Sequence, residues 1–251
     1  MTGLAGKVAL ITGAGQGIGQ GIAYALAGEG VAVAVAGRTK SKLDATVQQI
    51  GQRGGRALAI ECDVRDPAAL AACVDTAVTR LGRLDILVNN AQEPALGTLE
   101  QLSDAEFIAG WESGPLAAFR LMKLCRPHLR NGGCIVNLAS QAGKQWDMTG
   151  SGGYAAVKEA MRQLTRAAAC EWAAEGIRTN AILPLAFATG MQRWAAARPD
   201  EYRAFIDKTP MKRAGDCEHD IGRFVVALCS DDCRYINGQS IGVDGGMACL
   251  G

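Results

Sequence analysis

The sequence lacks the features that mark several classes of protein. No apolar run approaches the roughly 18 residues that cross a bilayer, and no basic segment precedes an apolar core near the first residues, so neither a membrane span nor a signal peptide is predicted. The formal net charge is +1, with no block of like charges, which argues against binding to nucleic acid or to a membrane surface. These absences favour a protein that acts on a small molecule.

Metal-binding and disulfide patterns are also missing. The nine cysteines are scattered and odd in number, which is typical of small buried thiols in a reducing cytoplasm and not of a disulfide framework. Cys229 and Cys233 are close in sequence, but no histidine cluster or second cysteine pair accompanies them, and His128 and His219 lie outside any motif. We therefore expect a cytoplasmic protein without a metal site.

Short apolar runs alternate with longer helical stretches along the whole chain. The runs are apolar without strict alternation, which is typical of parallel strands covered on both faces. The chain has 251 residues, 49% of them hydrophobic, and no linker, so it predicts one α/β domain over residues 1–251: a Rossmann-type, doubly wound parallel sheet of about seven strands with helices on both faces. The predicted strands are 7–12, 31–36, 56–61, 84–89, 134–139, 177–183 and 239–244.

Glycines cluster where the first predicted strand ends. The stretch "TGAGQGIG" places Thr12, Gly13, Gly17 and Gly19 at a strand-to-helix turn. Glycine permits a sharp turn and a close approach of phosphate to the backbone, and a helix that begins near Gly17 would direct its free N–H groups at that phosphate. The pattern indicates a nucleotide-binding turn.

A tyrosine and a lysine stand one helical turn apart in "GGYAAVKEA". Tyr154 and Lys158 would share a helix face, because residues four apart are neighbours there. An ammonium beside a phenol favours the phenolate, so Lys158 is predicted to lower the pKa of Tyr154 from its usual value of about 10. Taken alone, such a pair is more often part of an ordinary helix surface.

Several motifs, in order, resemble the short-chain dehydrogenase/reductase family, especially its 3-oxoacyl-[acyl-carrier-protein] reductase-like members. The resemblance runs from about Lys7 to Gly246 and implies hydride transfer between a nicotinamide cofactor and a carbonyl or alcohol. The motifs are the glycine-rich turn, "CDV" at 62–64, "NNA" at 89–91, "IVNLASQAG" at 135–143, "YAAVK" at 154–158 and "YINGQSIGVDGG" at 235–246.

The resemblance assigns catalytic roles to three side chains. It implies that Tyr154 is the acid/base, that Lys158 lowers its pKa and holds the nicotinamide ribose, and that Ser140 hydrogen-bonds the substrate oxygen. Ser151 is the rival serine, but it lies so close to the helix start that we interpret it as an N-cap. The predicted cofactor-binding residues are Gly13, Gly17, Ile18, Gly19, Arg38, Asp63, Val64, Asn90, Ala91, Tyr154, Lys158, Phe187 and Thr189.

The end of the second predicted strand bears on the choice of cofactor. Gly37 and Arg38 stand where family members that use NAD usually place an acidic residue, and Lys40 and Lys42 follow. A carboxylate there would bind the ribose 2′-OH, whereas an arginine suits a 2′-phosphate. NADP(H) is therefore favoured and NAD(H) stays possible, since the basic residues could simply solvate a helix start.

Three positions depart from the family pattern. Gln92 and Leu185 replace glycines, and Gly114 stands where the family keeps an asparagine of its proton relay. Pro115 has no N–H, so the helix is predicted to open near Trp111, and a freed carbonyl could hold the relay water. The alternative is a catalytically impaired relative that serves as a cofactor-binding or regulatory protein.

The segment 187–215 corresponds to the family's lid. Its large side chains suit an apolar or ring-bearing substrate, but they could equally serve packing within the lid. These side chains, together with two from the loop after Ser140, are Phe187, Met191, Trp194, Tyr202, Phe205, Trp146 and Met148.

Two predicted helices, 104–129 and 154–174, are apolar on several faces. A helix of this kind is usually buried on several faces. On the second helix, a stripe of Ala156, Ala160, Leu164 and Ala167 is predicted to pack on the sheet, which leaves further apolar residues for contacts between subunits. Because the family pairs these helices across a two-fold axis, we expect a homotetramer, with a dimer as the alternative.

Overall fold

A computed structural model describes residues 2–144 and 150–247 and contains a parallel sheet of seven strands in the order β3-β2-β1-β4-β5-β6-β7. This confirms the predicted fold class. Each predicted strand is present, with ends displaced by up to two residues. The strands are β1 (Val8–Thr12), β2 (Ala32–Gly37), β3 (Ala57–Glu61), β4 (Ile86–Asn89), β5 (Cys134–Leu138), β6 (Arg178–Pro184) and β7 (Ser240–Val243).

Local signals in the sequence determine several helix ends. Asp66 accepts a hydrogen bond from the Ala68 N–H at 2.8 Å, and Gly82 ends the same helix with a φ of 90°. Ser103 and Glu106 form a capping box at the start of another helix. The helices are α1 (Gly17–Gly28), α2 (Lys40–Gln52), α3 (Pro67–Leu81), α4 (Asp104–Trp111), α5 (Ala117–Leu129), α6 (Gly152–Trp172), α7 (Thr189–Ala197), α8 (Pro199–Ile206) and α9 (Arg223–Cys229).

The hydrophobic core has one layer on each face of the sheet. On one face α1 and α9 contribute Ile22, Leu26 and Val225. On the other face Leu121 of α5 and Trp172 of α6 pack beside α3. Over the residues described, none of the helices has both the length and the apolar character required to cross a bilayer.

The strand order reverses between β1 and β4. These strands are direct neighbours, with Leu10 paired to Leu87, although two further strands separate them in sequence. Their carboxyl ends, Thr12 and Asn89, therefore lie side by side at the point where ligands bind in open α/β sheets. The fold thus brings the glycine-rich turn and the "NNA" motif together.

A buried polar ladder connects the centre of the sheet to α6. Asn89 Nδ2 donates to Asn137 Oδ1 at 2.8 Å, and Asn137 Nδ2 donates to Thr165 Oγ1 at 2.9 Å. The Thr165 hydroxyl in turn donates to the Met161 carbonyl at 2.8 Å. Buried amides are costly to leave unpaired, so this ladder fixes the position of α6 against β4 and β5.

The prediction of which stripe of α6 packs on the sheet is wrong. Ala156 is exposed and the other three residues of the predicted stripe are half-buried, whereas Val157, Met161, Thr165 and Trp172 are buried. Because α6 is apolar on several faces, hydrophobicity alone does not distinguish adjacent stripes, and the hydrogen bonds of Thr165 favour the observed one. Of the predicted stripe, Leu164 packs against the edge of the core, and Ala156 is exposed.

Candidate active site

The fold brings Ser140, Tyr154 and Lys158 together at the carboxyl end of β5. Ser140 follows this strand and hydrogen-bonds the Tyr154 phenol. Lys158, one turn along α6 from Tyr154, has its Nζ 5.5 Å from the centre of the phenol ring and donates to the Leu138 carbonyl at 2.7 Å. The predicted shared face of Tyr154 and Lys158 is confirmed.

The structure reverses the predicted direction of the tyrosine shift. Burial raises the pKa of Tyr154, and the hydrogen bond from Ser140 acts in the opposite direction. Burial also lowers the pKa of Lys158 from 10.5 to about 7. The expectation that Lys158 lowers the pKa of Tyr154 assumed a permanently charged lysine, and burial weakens that assumption.

The glycine-rich turn is shaped around the Asn90 side chain. Its Nδ2 donates to the Thr12 carbonyl at 2.9 Å and to the Gly13 carbonyl at 3.2 Å. A β-carbon on Gly13 would approach this nitrogen to 2.8 Å, and one on Gly19 would approach it to 2.5 Å. Gly13 and Gly17 have φ values of 65° and 60°. The side-chain amide of Asn90, a predicted cofactor-binding residue, therefore supports the turn, and α1 begins at Gly17 as expected.

A cleft of 440 Å³ extends from this turn across the carboxyl ends of β1, β2 and β4. Gly19 is buried beneath it, and Phe187 lines an adjoining cleft of 320 Å³ that shares Gly17 and Thr189. Tyr154 and Lys158 do not line the large cleft. Of the predicted cofactor-binding residues, those that line it are Gly13, Gly17, Ile18, Arg38, Asp63, Val64, Asn90, Ala91 and Thr189.

Arg38 is not free in this cleft. Its guanidinium forms an ion pair with Glu93, a residue beyond the end of β4. Glu93 also lies 3.8 Å from the Arg65 guanidinium, which is 3.5 Å from Asp63. Burial opposes the charged form of Asp63, but hydrogen bonds from Arg65 and the charge of Arg38 keep its pKa below its usual value. The carboxylate that is absent after β2 is thus supplied by the segment that follows β4.

The helix opens beside Pro115, as predicted from the missing proline N–H. Residues Glu112–Leu116 form a π-helical turn between α4 and α5, in which bonds run from position i+5 to position i. The Gly110 carbonyl would need an N–H at position 115, which proline lacks, and Gln92 Nε2 donates to this carbonyl instead at 2.8 Å. A β-carbon on Gly114 would overlap Gln92 Oε1. Two of the departures from the family pattern therefore form one packing arrangement.

The lid aromatics pack against one another. The ring centroids of Phe187 and Tyr202 are 5.8 Å apart, and Trp194 lies 5.8 Å from Tyr202 and 5.4 Å from Phe205. This favours the packing interpretation of these side chains. Trp146 and Met148 lie outside the described residues.

The sequence analysis missed two residues of the site and misjudged a third. Ser151 occupies the N-cap position of α6 as predicted, but its hydroxyl makes no capping bond, and only its carbonyl takes part, by accepting the Ala155 N–H. Glu93 and Ser113 line the cleft, and the position of Glu93 directly after the "NNA" motif and Gln92 was an available signal. Nothing in the local sequence pointed to Ser113.

The geometry defines a class of protein. A doubly wound sheet with a glycine-rich cleft at its switch point, and a serine–tyrosine–lysine set beside it, is the arrangement of a dinucleotide-dependent oxidoreductase. Within residues 2–144 and 150–247, no cluster of three or more His, Cys, Asp or Glu side chains is placed to hold a metal ion.

Comparisons with known proteins agree with this class. The family model described as enoyl-(acyl carrier protein) reductase matches residues 13–248. A 12α-hydroxysteroid dehydrogenase from Clostridium sp. is 38% identical, with 96% of each chain covered. A solved 7α-hydroxysteroid dehydrogenase, in complex with NADH and 7-oxo glycochenodeoxycholic acid, is 33% identical with a TM-score of 0.92, covering 98% of this chain and 95% of that one. An actinorhodin polyketide ketoreductase variant with NADPH is 29% identical with a TM-score of 0.90, covering 98% and 99%.

The chain belongs to the short-chain dehydrogenase/reductase family. It is an NAD(P)-dependent oxidoreductase that acts on a CH–OH or C=O group. The predicted family membership and enzyme class are confirmed.

Proposed function

We propose that the enzyme interconverts a ketone and a secondary alcohol of an apolar, ring-bearing substrate with NADP(H), and that Tyr154 is the acid/base. The observation that carries this proposal is the hydrogen bond between Ser140 and Tyr154, with the Lys158 ammonium 5.5 Å from the phenol ring. A bound nicotinamide would supply or accept the hydride. The protein's own part is to move a proton and to orient the reacting oxygen.

Each of the three side chains has a distinct task. In the reductive direction Tyr154 gives its phenolic proton to the carbonyl oxygen, and Ser140 donates a hydrogen bond to the same oxygen. Burial raises the pKa of Tyr154, so the protonated form is available at neutral pH. Lys158 has a pKa of about 7 and is anchored to the Leu138 carbonyl, which places it to replenish that proton.

The cleft fits a dinucleotide. Gly13 and Gly19 leave no room for a β-carbon, and the turn ends at the first N–H groups of α1, where a pyrophosphate would be held. Asp63 and Val64 would flank the adenine, and Arg38 would bind a 2′-phosphate. Thr189, at the start of α7, would contact the nicotinamide end.

Exposed apolar side chains in the segment after the "NNA" motif support the substrate class. Leu96 and Leu99 are 62% and 80% exposed, and Leu99 lies beside Gly152, two residues before Tyr154 in α6. An exposed leucine at a site mouth suits an apolar surface on the substrate. Two relatives are named as hydroxysteroid dehydrogenases, and steroids are apolar, ring-bearing molecules.

The alternative of an impaired regulatory relative depended on Gln92 and Gly114. These two residues pack against each other beside the π-helical turn, and Ser140, Tyr154 and Lys158 are still brought together, which favours an active enzyme. The test is oxidation of NADPH and of NADH at 340 nm against a panel of cyclic ketones. Turnover of any ring ketone supports the proposal, and binding of both cofactors without turnover across the panel overturns it.

We further propose a single-domain, cytoplasmic homotetramer. Ile108 and Trp111 of α4 and Phe119 of α5 are 52%, 42% and 42% exposed, although they are large and apolar. Ala156, Ala160 and Ala167 of α6 are exposed or half-buried, and β7 is an edge strand open to pairing. Two such surfaces support two dimer axes, with a dimer as the alternative.

A further inference from the structure

The backbone of Glu93 is held from two sides. Its N–H donates to Ser113 Oγ at 2.9 Å, and its carbonyl accepts from Gln92 Nε2 at 3.0 Å. Ser113 belongs to the π-helical turn and donates to the Ala109 carbonyl at 2.7 Å. Glu93 is therefore anchored by the opened helix and does not drift as a free loop residue would.

The side chain of Glu93 projects from this anchor between two arginines. It forms an ion pair with Arg38 and lies 3.8 Å from Arg65, and all three side chains remain partly exposed at the cleft. Glu93 and Arg38 both line the cleft that would hold the adenosine half of a dinucleotide. The group proposed to bind a 2′-phosphate thus already has an anionic partner.

We propose that Glu93 determines cofactor specificity by competing with a 2′-phosphate for Arg38. A phosphate that approaches Arg38 must either displace the carboxylate or lie close to it, and both events oppose binding because the two groups carry the same charge. The neutral 2′-hydroxyl of NAD(H) meets no such repulsion and can donate a hydrogen bond to a carboxylate. Arg38 therefore favours NADP(H), and Glu93 opposes that preference.

This inference rests on the proposed function, since it assumes that the cleft holds a dinucleotide. It is tested with the full-length protein by titration calorimetry of NADPH and NADH, without turnover. Glu93→Gln should tighten NADPH binding by about 5- to 30-fold, while NADH binding stays within about twofold or weakens. Asp44→Asn is the matched control. It removes the same charge as Glu93→Gln, but Asp44 pairs with Lys40 and not with Arg38.

A double-mutant cycle separates competition from a general charge effect. In an Arg38→Ala background, Glu93→Gln should no longer tighten NADPH selectively, since the contested guanidinium is gone. Equal tightening of NADPH and NADH, or an unchanged effect in the Arg38→Ala background, would overturn the inference while leaving the proposed function intact. Failure of the wild-type protein to bind either dinucleotide would overturn both.

Discussion

Gln92 Oε1 occupies the position that a β-carbon on Gly114 would need. The same carboxamide donates through Nε2 to the Gly110 carbonyl, whose partner in the π-helical turn is missing because of Pro115. Oε1 is buried and has no hydrogen-bond partner among the residues that the structure describes. The glutamine therefore serves the helix backbone, and the glycine makes room for it.

A β-carbon at position 114 should displace the end of the Gln92 side chain. We expect Gly114→Ala to lower the free energy of unfolding by about 1–3 kcal/mol, because the displaced carboxamide no longer donates to the Glu93 and Gly110 carbonyls. Gly28→Ala is the control: a β-carbon there meets nothing within 4 Å, so this helical substitution should be neutral or stabilising. Urea denaturation measures both changes, and adding Gln92→Ala to Gly114→Ala should cost little more, because the same hydrogen bonds are already lost. Equal stability of Gly114→Ala and wild type would contradict the packing account.

Tyr154→Phe should remove most turnover and leave cofactor binding nearly unchanged. The phenol supplies a proton, and loss of a general acid typically costs about 10² to 10⁴ in rate. The measurement is kcat on an accepted ketone together with Kd for the cofactor. Wild-type turnover by the phenylalanine variant would exclude Tyr154 as the acid/base.

Arg38→Ala should weaken NADPH much more than NADH. A hydrogen bond to a charged group contributes about 1.5–3 kcal/mol, and only NADPH carries the 2′-phosphate. Arg53→Ala is a useful comparison, since Arg53 pairs with Glu218 and does not line the large cleft. If Arg38→Ala weakened both cofactors equally, Arg38 would not be the phosphate ligand.

The stability of a Lys158→Met variant should depend on pH relative to wild type. The pKa of Lys158 is about 7 in the folded chain and 10.5 for an ordinary lysine, so its burial cost is fully present below pH 7 and is lost as the pH rises towards 10.5. The advantage of the variant should therefore shrink across this window by about 1.4 kcal/mol per pH unit.

The slope, and not the absolute stability, is the readout for Lys158→Met, because the Leu138 carbonyl loses its donor at every pH. Thermal unfolding at pH 6, 8 and 9.5 is sufficient to measure it. Lys208→Met, at an exposed position, is the control for replacing a lysine by methionine. A flat difference for Lys158→Met would mean that the lysine is not buried as the structure shows.

Light scattering at micromolar concentration should give four times the 26.2 kDa chain mass. Ile108→Glu combined with Phe119→Glu should reduce this mass, because charges would be buried across the proposed interface. A wild-type monomer would refute the burial argument, and a wild-type dimer would leave one of the two surfaces without a partner.

The fold was predictable because its signals are local. The glycine-rich turn follows an apolar run that is buried throughout, and Pro115 alone predicted the opened helix. The order of motifs then identified Ser140, Tyr154 and Lys158, which the fold brings together. Each of these predictions depends on residue types within a short window of sequence.

The remaining features depend on contacts between distant residues or on burial. Glu93 meets Arg38 only because β4 and β2 both end at one edge of the sheet. The residues around Arg38 in the sequence do not indicate that partner. The pKa of Tyr154 rises because of burial, which a pair of residues one turn apart does not reveal. The inward face of α6 is selected by Thr165, whose hydrogen-bond partner is on β5.

The polar ladder from Asn89 through Asn137 to Thr165 links the position of α6 on the sheet to both stability and activity. A compact state with this helix docked one residue away would leave the Asn137 Nδ2 without Thr165 in the core, at a cost of about 1–3 kcal/mol. The same displacement would separate Tyr154 from Ser140. A misdocked molecule would therefore be unstable and inactive for a single reason, and during refolding the return of activity should coincide with burial of this helix.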